Sequence, residues 1–138
     1  MANEAVLIFE TELPIPFTCD NATGIEKGTL LKMADPATVS AAIVYGDFCG
    51  GIAATEKIVS DGRTKIGVYR GGIFKVFASG SITAGDVLTK ASLTTNLVEV
   101  AVAADVSSKT WGIALETATN GESFLMELRP GANNKAYS

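Results

Sequence analysis

The chain contains no histidine. That removes the Ser-His-Asp and Cys-His arrangements of acyl-transfer enzymes and the imidazole ligands of most zinc sites. Cysteine is scarce: Cys19 and Cys49 are far apart and form no CxxC pair. In a chain long enough for a full core they are expected as buried thiols, not as a disulfide framework. Basic residues are outnumbered, with 11 Lys and Arg against 15 Asp and Glu and a formal net charge of −4. The basic footprint of a nucleic-acid binder is therefore missing. No apolar run approaches the roughly 18 residues that suggest a membrane helix. The start, MANEAVLIFETELPIPF, places Glu4 where a signal peptide carries basic residues, and Glu10 and Glu12 interrupt its apolar run. The expectation is a protein without a secretion signal, made in a cytosol-like compartment. Neither GxxxxGK[ST] nor GxGxxG occurs, so a phosphate cradle has no support. No long window shows a helical period.

What is present in excess is glycine, 14 of 138 residues, above the usual share of about 7%. It punctuates short β-leaning runs at intervals of roughly ten residues, the pattern of an all-β sandwich or barrel. The strongest local signal is Lys65 to Leu88. Lys65–Arg70 and Ile73–Ala78 flank Gly71-Gly72, which reads as a β-hairpin with a primed turn. Further strands are expected at Thr29–Met33, from Ile52, over Leu97–Val102, Thr110–Glu116 and Ser123–Arg129. A weak internal echo joins Gly28-Thr29-Leu30-Leu31-Lys32 to Gly85-Asp86-Val87-Leu88-Thr89, and Gly51-Ile52-Ala53 to Gly112-Ile113-Ala114. It fits either a true pseudo-repeat or the chance recurrence of glycine-led strands.

Residues 1–17 read as an extended N-terminal arm, 18–130 as the β-barrel domain, and 131–138 as a polar, frayed tail. Pro14 and Pro16 exclude helix from the arm and bar it from a central strand. The arm either covers an edge of its own sheet or reaches onto a neighbouring subunit or larger assembly.

Catalytic candidates are few. Glu10 and Glu12 share a face of an extended segment, so an acid/base pair is conceivable, although solvated edge charges explain them as well. Ser107-Ser108-Lys109 holds the residue types of a Ser–Lys dyad without a spacing that fixes the geometry. Asp61 and Asp105 lack the spacing of a calcium loop. Large apolar side chains point to a binding role. Ile73 and Phe77 fall on the opposite face from Phe74 and Val76, and Trp111 also needs cover. Such residues either anchor an interface or lie between two packed layers.

The order IEKGTLLK, CGGIAATE, GVYRGGIFKV, SITAGDVL and TWGIALETATNGESFLMELRP resembles the bacteriophage capsid cement, or head decoration, proteins. The matching positions are Gly28, Gly51 to Ala54, Gly72 to Val76, Ile82 to Val87, Gly112 to Glu116 and Glu127 to Arg129. The resemblance spans roughly residues 24 to 130 and is weakest in the arm. It implies a small β-barrel or β-tulip domain that assembles as a homotrimer. Such proteins sit on the outer surface of the expanded capsid at three-fold or quasi-three-fold sites, clamping the major capsid protein. It carries over no catalytic residue, and with the inventory and charge above no metal, no cofactor and neither a nucleic-acid nor a membrane partner is expected. Leu7, Phe9, Leu13, Pro14, Ile15, Pro16 and Phe17 of the arm, with Trp111, are the candidate partner contacts. A trimeric tail, spike or receptor-binding module of a virion is the alternative, followed by a small-ligand-binding barrel.

Overall fold

The computed structural model describes residues 3–45, 47–91, 96–102 and 107–131. The expected tail beyond residue 131 and Asp105 lie outside the described residues. The described chain is all-β, with eleven strands and one 3-10 turn at Ser107–Lys109. In order the strands are β1 (Val6–Phe9), β2 (Ile15–Thr18), β3 (Leu30–Ala34), β4 (Thr38–Ala41), β5 (Cys49–Ala53) and β6 (Lys65–Tyr69). They continue with β7 (Gly72–Ala78), β8 (Val87–Lys90), β9 (Leu97–Val100), β10 (Gly112–Ala114) and β11 (Ser123–Leu128).

The expected single barrel is two. Strands β2-β4-β3-β5-β6 close a first barrel, and β7, β11, β10, β8 and β9 close a second through the β7–β9 pairing. The two have the same topology. In each, the first strand runs parallel to the third, through Thr18↔Thr38 and Phe77↔Leu97. In each, the first strand is also antiparallel to the fifth. The small contacts repeat as well. Ile25 and Lys57 exchange two backbone hydrogen bonds of 2.8 and 2.7 Å, and Ile82 and Ala118 exchange two of 2.8 and 2.9 Å. Gly28 N–H donates to the Ala53 carbonyl at 2.9 Å, and Gly85 N–H to the Ala114 carbonyl at 2.8 Å. The echo seen in sequence is thus a structural duplication.

The same frame overturns the expected hairpin. β6 pairs β2 and β5 in the first barrel, whereas β7 pairs β1, β9 and β11 in the second. Gly71-Gly72 is the crossover between barrels. Two glycines suit either use, because both need backbone freedom that a Cβ forbids. Here Gly72 has φ +125°, and a Cβ on it would lie 3.3 Å from the Phe9 carbonyl oxygen. A Cβ on Gly71 would meet the Glu12 carboxylate. The glycines therefore let the chain pass beneath its own N-terminal segment. β1, arriving from the N-terminus, occupies the edge of β7 that a hairpin partner would have taken.

Two apolar clusters hold the molecule. The smaller fills the first barrel: Cys19, Ile25, Leu31, Val39, Ala53, Ile66 and Val68. The larger fills the second barrel and continues across the junction to Leu30, Ala42, Cys49 and Ile52 of the first. β5 is buried along its whole length, because one face looks into its own barrel and the other meets the second. Asn96 braces the junction. Its Oδ1 accepts from Leu30 N–H at 2.8 Å, and its Nδ2 donates to the carbonyls of Asn3 and Gly28, both at 2.9 Å.

Candidate partner-binding surface

The N-terminal segment straps the two barrels together. It starts on the second barrel, where β1 aligns Val6, Leu7 and Phe9 with Lys75, Phe74 and Ile73. It ends in the first, where β2 aligns Ile15, Pro16, Phe17 and Thr18 with Val68, Gly67, Ile66 and Lys65. β2 meets β4 only at Thr18↔Thr38. The rest of that edge has no ladder to complete, so Pro16 and its missing N–H are accommodated. Between the strands, Glu10 accepts a hydrogen bond from the Tyr69 hydroxyl at 3.1 Å. Burial of the ring, followed by the bond to Glu10, pushes the Tyr69 phenol above its ordinary pKa.

The strap is paired to its own chain and still presents apolar surface. Leu7 packs on the larger core and Phe17 on the smaller. Phe9 is 61% and Leu13 75% exposed, and Val6, Ile8, Ile15, Pro14 and Pro16 are partly or well exposed too. The segment itself is acidic. The first 26 residues include Glu4, Glu10, Glu12, Asp20 and Glu26 and no lysine or arginine. Exposed apolar side chains repeated along one segment mark a candidate interaction surface, here flanked by Lys75 and Lys65 across the pairs with Val6 and Thr18.

Trp111 lies elsewhere. Its side chain is fully buried in the larger cluster, and its Nε1–H donates to the Asp47 carbonyl at 3.2 Å. It acts as a brace between barrels and offers no contact surface. The loop it holds does. The Asp47 carboxylate accepts from the N–H groups of Ile43 and Val44, both at 2.9 Å. Ile43, Val44 and Phe48 are all exposed there. Ile58 and Val59, at the far end of the first barrel, form another exposed apolar pair. Sequence reading placed Ile43, Val44, Ile58 and Val59 in β-leaning runs and Phe48 in a loop, and gave none of them a surface role. The available signal was β-branched residues directly beside turn chemistry at Ser60-Asp61-Gly62.

The chemically suggestive residues have structural employment. Lys57 is buried, with Nζ donating to the carbonyls of Asn21 at 2.7 Å, Thr23 at 3.0 Å and Ile58 at 3.1 Å. It also lies 3.5 Å from Asp61 Oδ1. Backbone and guanidinium bonds from Arg63 hold the Asp61 carboxyl well below the usual range. Ile73 and Phe77 are half-buried along β7. Both cysteines are buried and unpaired, and burial raises their thiol pKa values. Glu10 is the Tyr69 partner, while Glu12 lies over Gly71. Ser107–Lys109 forms the 3-10 turn.

No family model matches the sequence, and no curated protein matches it significantly. The fold is similar to a solved structure, the N base of the head fiber protein gp8.5 of bacteriophage phi29. The TM-score is 0.56 at 21% identity, over 85% of this chain and 95% of that one. At that identity the two share an architecture.

Proposed function

We propose that this chain is a structural, non-catalytic protein of a bacteriophage head, which binds the outer surface of the expanded capsid and stabilises the shell. The observation that carries the reading is the strap: an acidic, basic-free segment that exposes Phe9, Leu13 and Ile15 across two fused barrels. The phage head fiber base of the same fold supports it, as does the order of short motifs that resembles head decoration proteins. The partner is the major capsid protein, met at three-fold or quasi-three-fold sites by a homotrimer. Trimer avidity then multiplies individually modest apolar contacts.

The named role of the phi29 neighbour favours one variant, in which the two barrels are the base of a projecting head fiber or spike. Both readings place the protein on the particle.

Co-sedimentation with cognate capsids stripped of the protein tests the proposal. Saturable binding to expanded shells, absent from unexpanded ones and reduced by Phe9→Ser/Leu13→Ser/Ile15→Ser, is the expected result. No binding to either form of shell overturns it.

A further inference from the structure

The duplication separates what each barrel needs from what the strap adds. The second barrel closes through the β7–β9 pairing, so β1 is not required to close it. The first barrel has no such extra strand among the described residues. The registers match β2 to β7. Ile15 lies opposite Val68, which pairs Ala53, just as Phe74 lies opposite Met126, which pairs Ala114. Pro16 of β2 therefore stands where Lys75 stands in β7. Lys75 pairs Val6 of β1, whereas Pro16 has no N–H to offer a strand. The β2 edge is thus closed to strand addition at this position, and the β7 edge is open to it.

β1 is lightly held on that edge. Of its side chains only Leu7 packs on the core, while Val6, Ile8 and Phe9 stay exposed. A bulge between Leu7 and Phe9 interrupts the ladder. Upstream, Ala5 is buried with its N–H on the Gly28 carbonyl at 3.1 Å, and the Asn3 carbonyl accepts from Asn96 at 2.9 Å. Residues 3–9 thus dock as one short piece. The link to β2, residues 10–14, is of another kind. It bends at Thr11 and Glu12 and leaves Leu13 largely exposed. Two side chains lie along the bend: Glu10 on the Tyr69 hydroxyl and Glu12 over Gly71. Pro14 keeps Leu13 extended. Straightened, residues 10–14 reach about 17 Å, enough to carry residues 3–9 onto a copy in contact.

We propose that residues 3–9 are an exchangeable arm: in the oligomer, β1 of one copy docks on β7 of a second copy of this chain, in the place it takes here on its own. The occupant is fixed by identity. The β7 edge already fits Val6–Phe9, every copy carries that segment, and the contacts made in trans are those made in cis. Two things differ. The bend at Thr11 and Glu12 opens, and the copies are joined. Exchange of an identical element is a low-cost route to an oligomer for this reason. Donated head to tail, the arm leaves every β7 edge filled, and the ring closes when the rotation between copies does. The inference rests on the homotrimer of the proposed function and says how its copies are tied together.

The test is disulfide trapping in the full-length protein. Val6 and Lys75 are direct partners with exposed side chains, so cysteines there meet the spacing a disulfide needs. The single variants Val6→Cys and Lys75→Cys are unfolded together under reducing conditions, refolded at high protein concentration, oxidised and run on a non-reducing denaturing gel. Cys19 and Cys49 are buried, and refolded wild type is the blank. A dimer-sized band from the mixture, absent from either variant alone and from wild type, is expected. The double variant should give a ladder of linked chains. Deleting Thr11 and Glu12 shortens the path back to the chain's own β7, so it should raise the oligomer fraction in sedimentation velocity. A protein that sediments as an oligomer, gives no band from the mixture and links the double variant only within single chains overturns the exchange and leaves the oligomer standing. A deletion variant that stays monomeric also overturns the exchange. Wild type that is monomeric at every concentration overturns the exchange and the homotrimer together.

Discussion

Replacing Asn96 by alanine tests whether the two barrels are one cooperative unit. The side chain is buried and makes three hydrogen bonds, one accepted from Leu30 N–H and two donated to the Asn3 and Gly28 carbonyls. The three are unequal. The Gly28 carbonyl also accepts from Ala5 N–H at 3.1 Å, so it keeps a partner after the substitution. Leu30 N–H loses the acceptor that Asn96 supplies. An orphaned buried donor costs about 1–3 kcal/mol, and each lost bond whose partner finds another costs about 0.5–1.5 kcal/mol. Asn96→Ala should therefore destabilise by about 2–6 kcal/mol, a large part of the roughly 5–15 kcal/mol that holds a domain together. With a urea m-value near 2 kcal/mol/M, the midpoint should fall by about 1–3 M at unchanged slope. Asn96→Asp keeps the acceptor but faces two carbonyl oxygens with a negative charge, so it should be at least as damaging at pH 7. The assay is urea unfolding followed by both tryptophan fluorescence and far-UV circular dichroism. A shift below about 0.5 kcal/mol would refute the brace. A split into two transitions, only one of them moved, would show that the barrels unfold independently.

Other outcomes follow from the duplication and the strap. A Cβ at Gly51 would run into the Tyr69 carbonyl and one at Gly112 into the Glu127 carbonyl, so both glycines sit against the same neighbouring strand of their barrels. Gly51→Ala and Gly112→Ala should each cost about 1–3 kcal/mol or more by denaturant unfolding, and a neutral result at either would break the equivalence. Phe9→Ser, Leu13→Ser and Ile15→Ser remove exposed surface, so each should change stability by no more than about 0.5 kcal/mol while weakening capsid binding in co-sedimentation. Cys19 and Cys49 are buried with raised thiol pKa values, so they remain protonated at pH 8. Neither should react with a thiol reagent until the protein unfolds, as absorbance at increasing urea would show.

The sequence carried the class of the fold more securely than its connections. Val98, alternating glycine-led runs and Phe124-x-Met126-x-Leu128 announce strands because a period of two survives any arrangement of the sheets. Pairing is another matter. Lys65–Tyr69 and Gly72–Ala78 are both strands, but local chemistry at Gly71-Gly72 is the same for a hairpin turn and for a crossover. The deciding fact is remote: β1, some sixty residues upstream, lies along the edge of β7. Trp111 was illegible for the same reason. An aromatic on a short strand reads equally as an interface anchor or as core, and only the second barrel packed against β5 decides between them.

The faint echo between Gly28–Lys32 and Gly85–Thr89 held more information than the strong hairpin signal. It survives because a few positions in each barrel are set by backbone contact: Gly51 and Gly112 by a neighbouring carbonyl, Gly28 and Gly85 by a positive φ. Most other positions differ between the two barrels. Where the copies differ inside the molecule, at Lys57 and Ala118, each solves its own packing, one with an ammonium under three carbonyls and the other with a methyl group. Where they differ on the surface, at Ile58-Val59 and Thr119-Asn120, the backbone and its caps are the same and packing supplies no reason. The strap has no copy at all: each barrel closes with five strands, and among the described residues β1 is the strand that neither repeat accounts for.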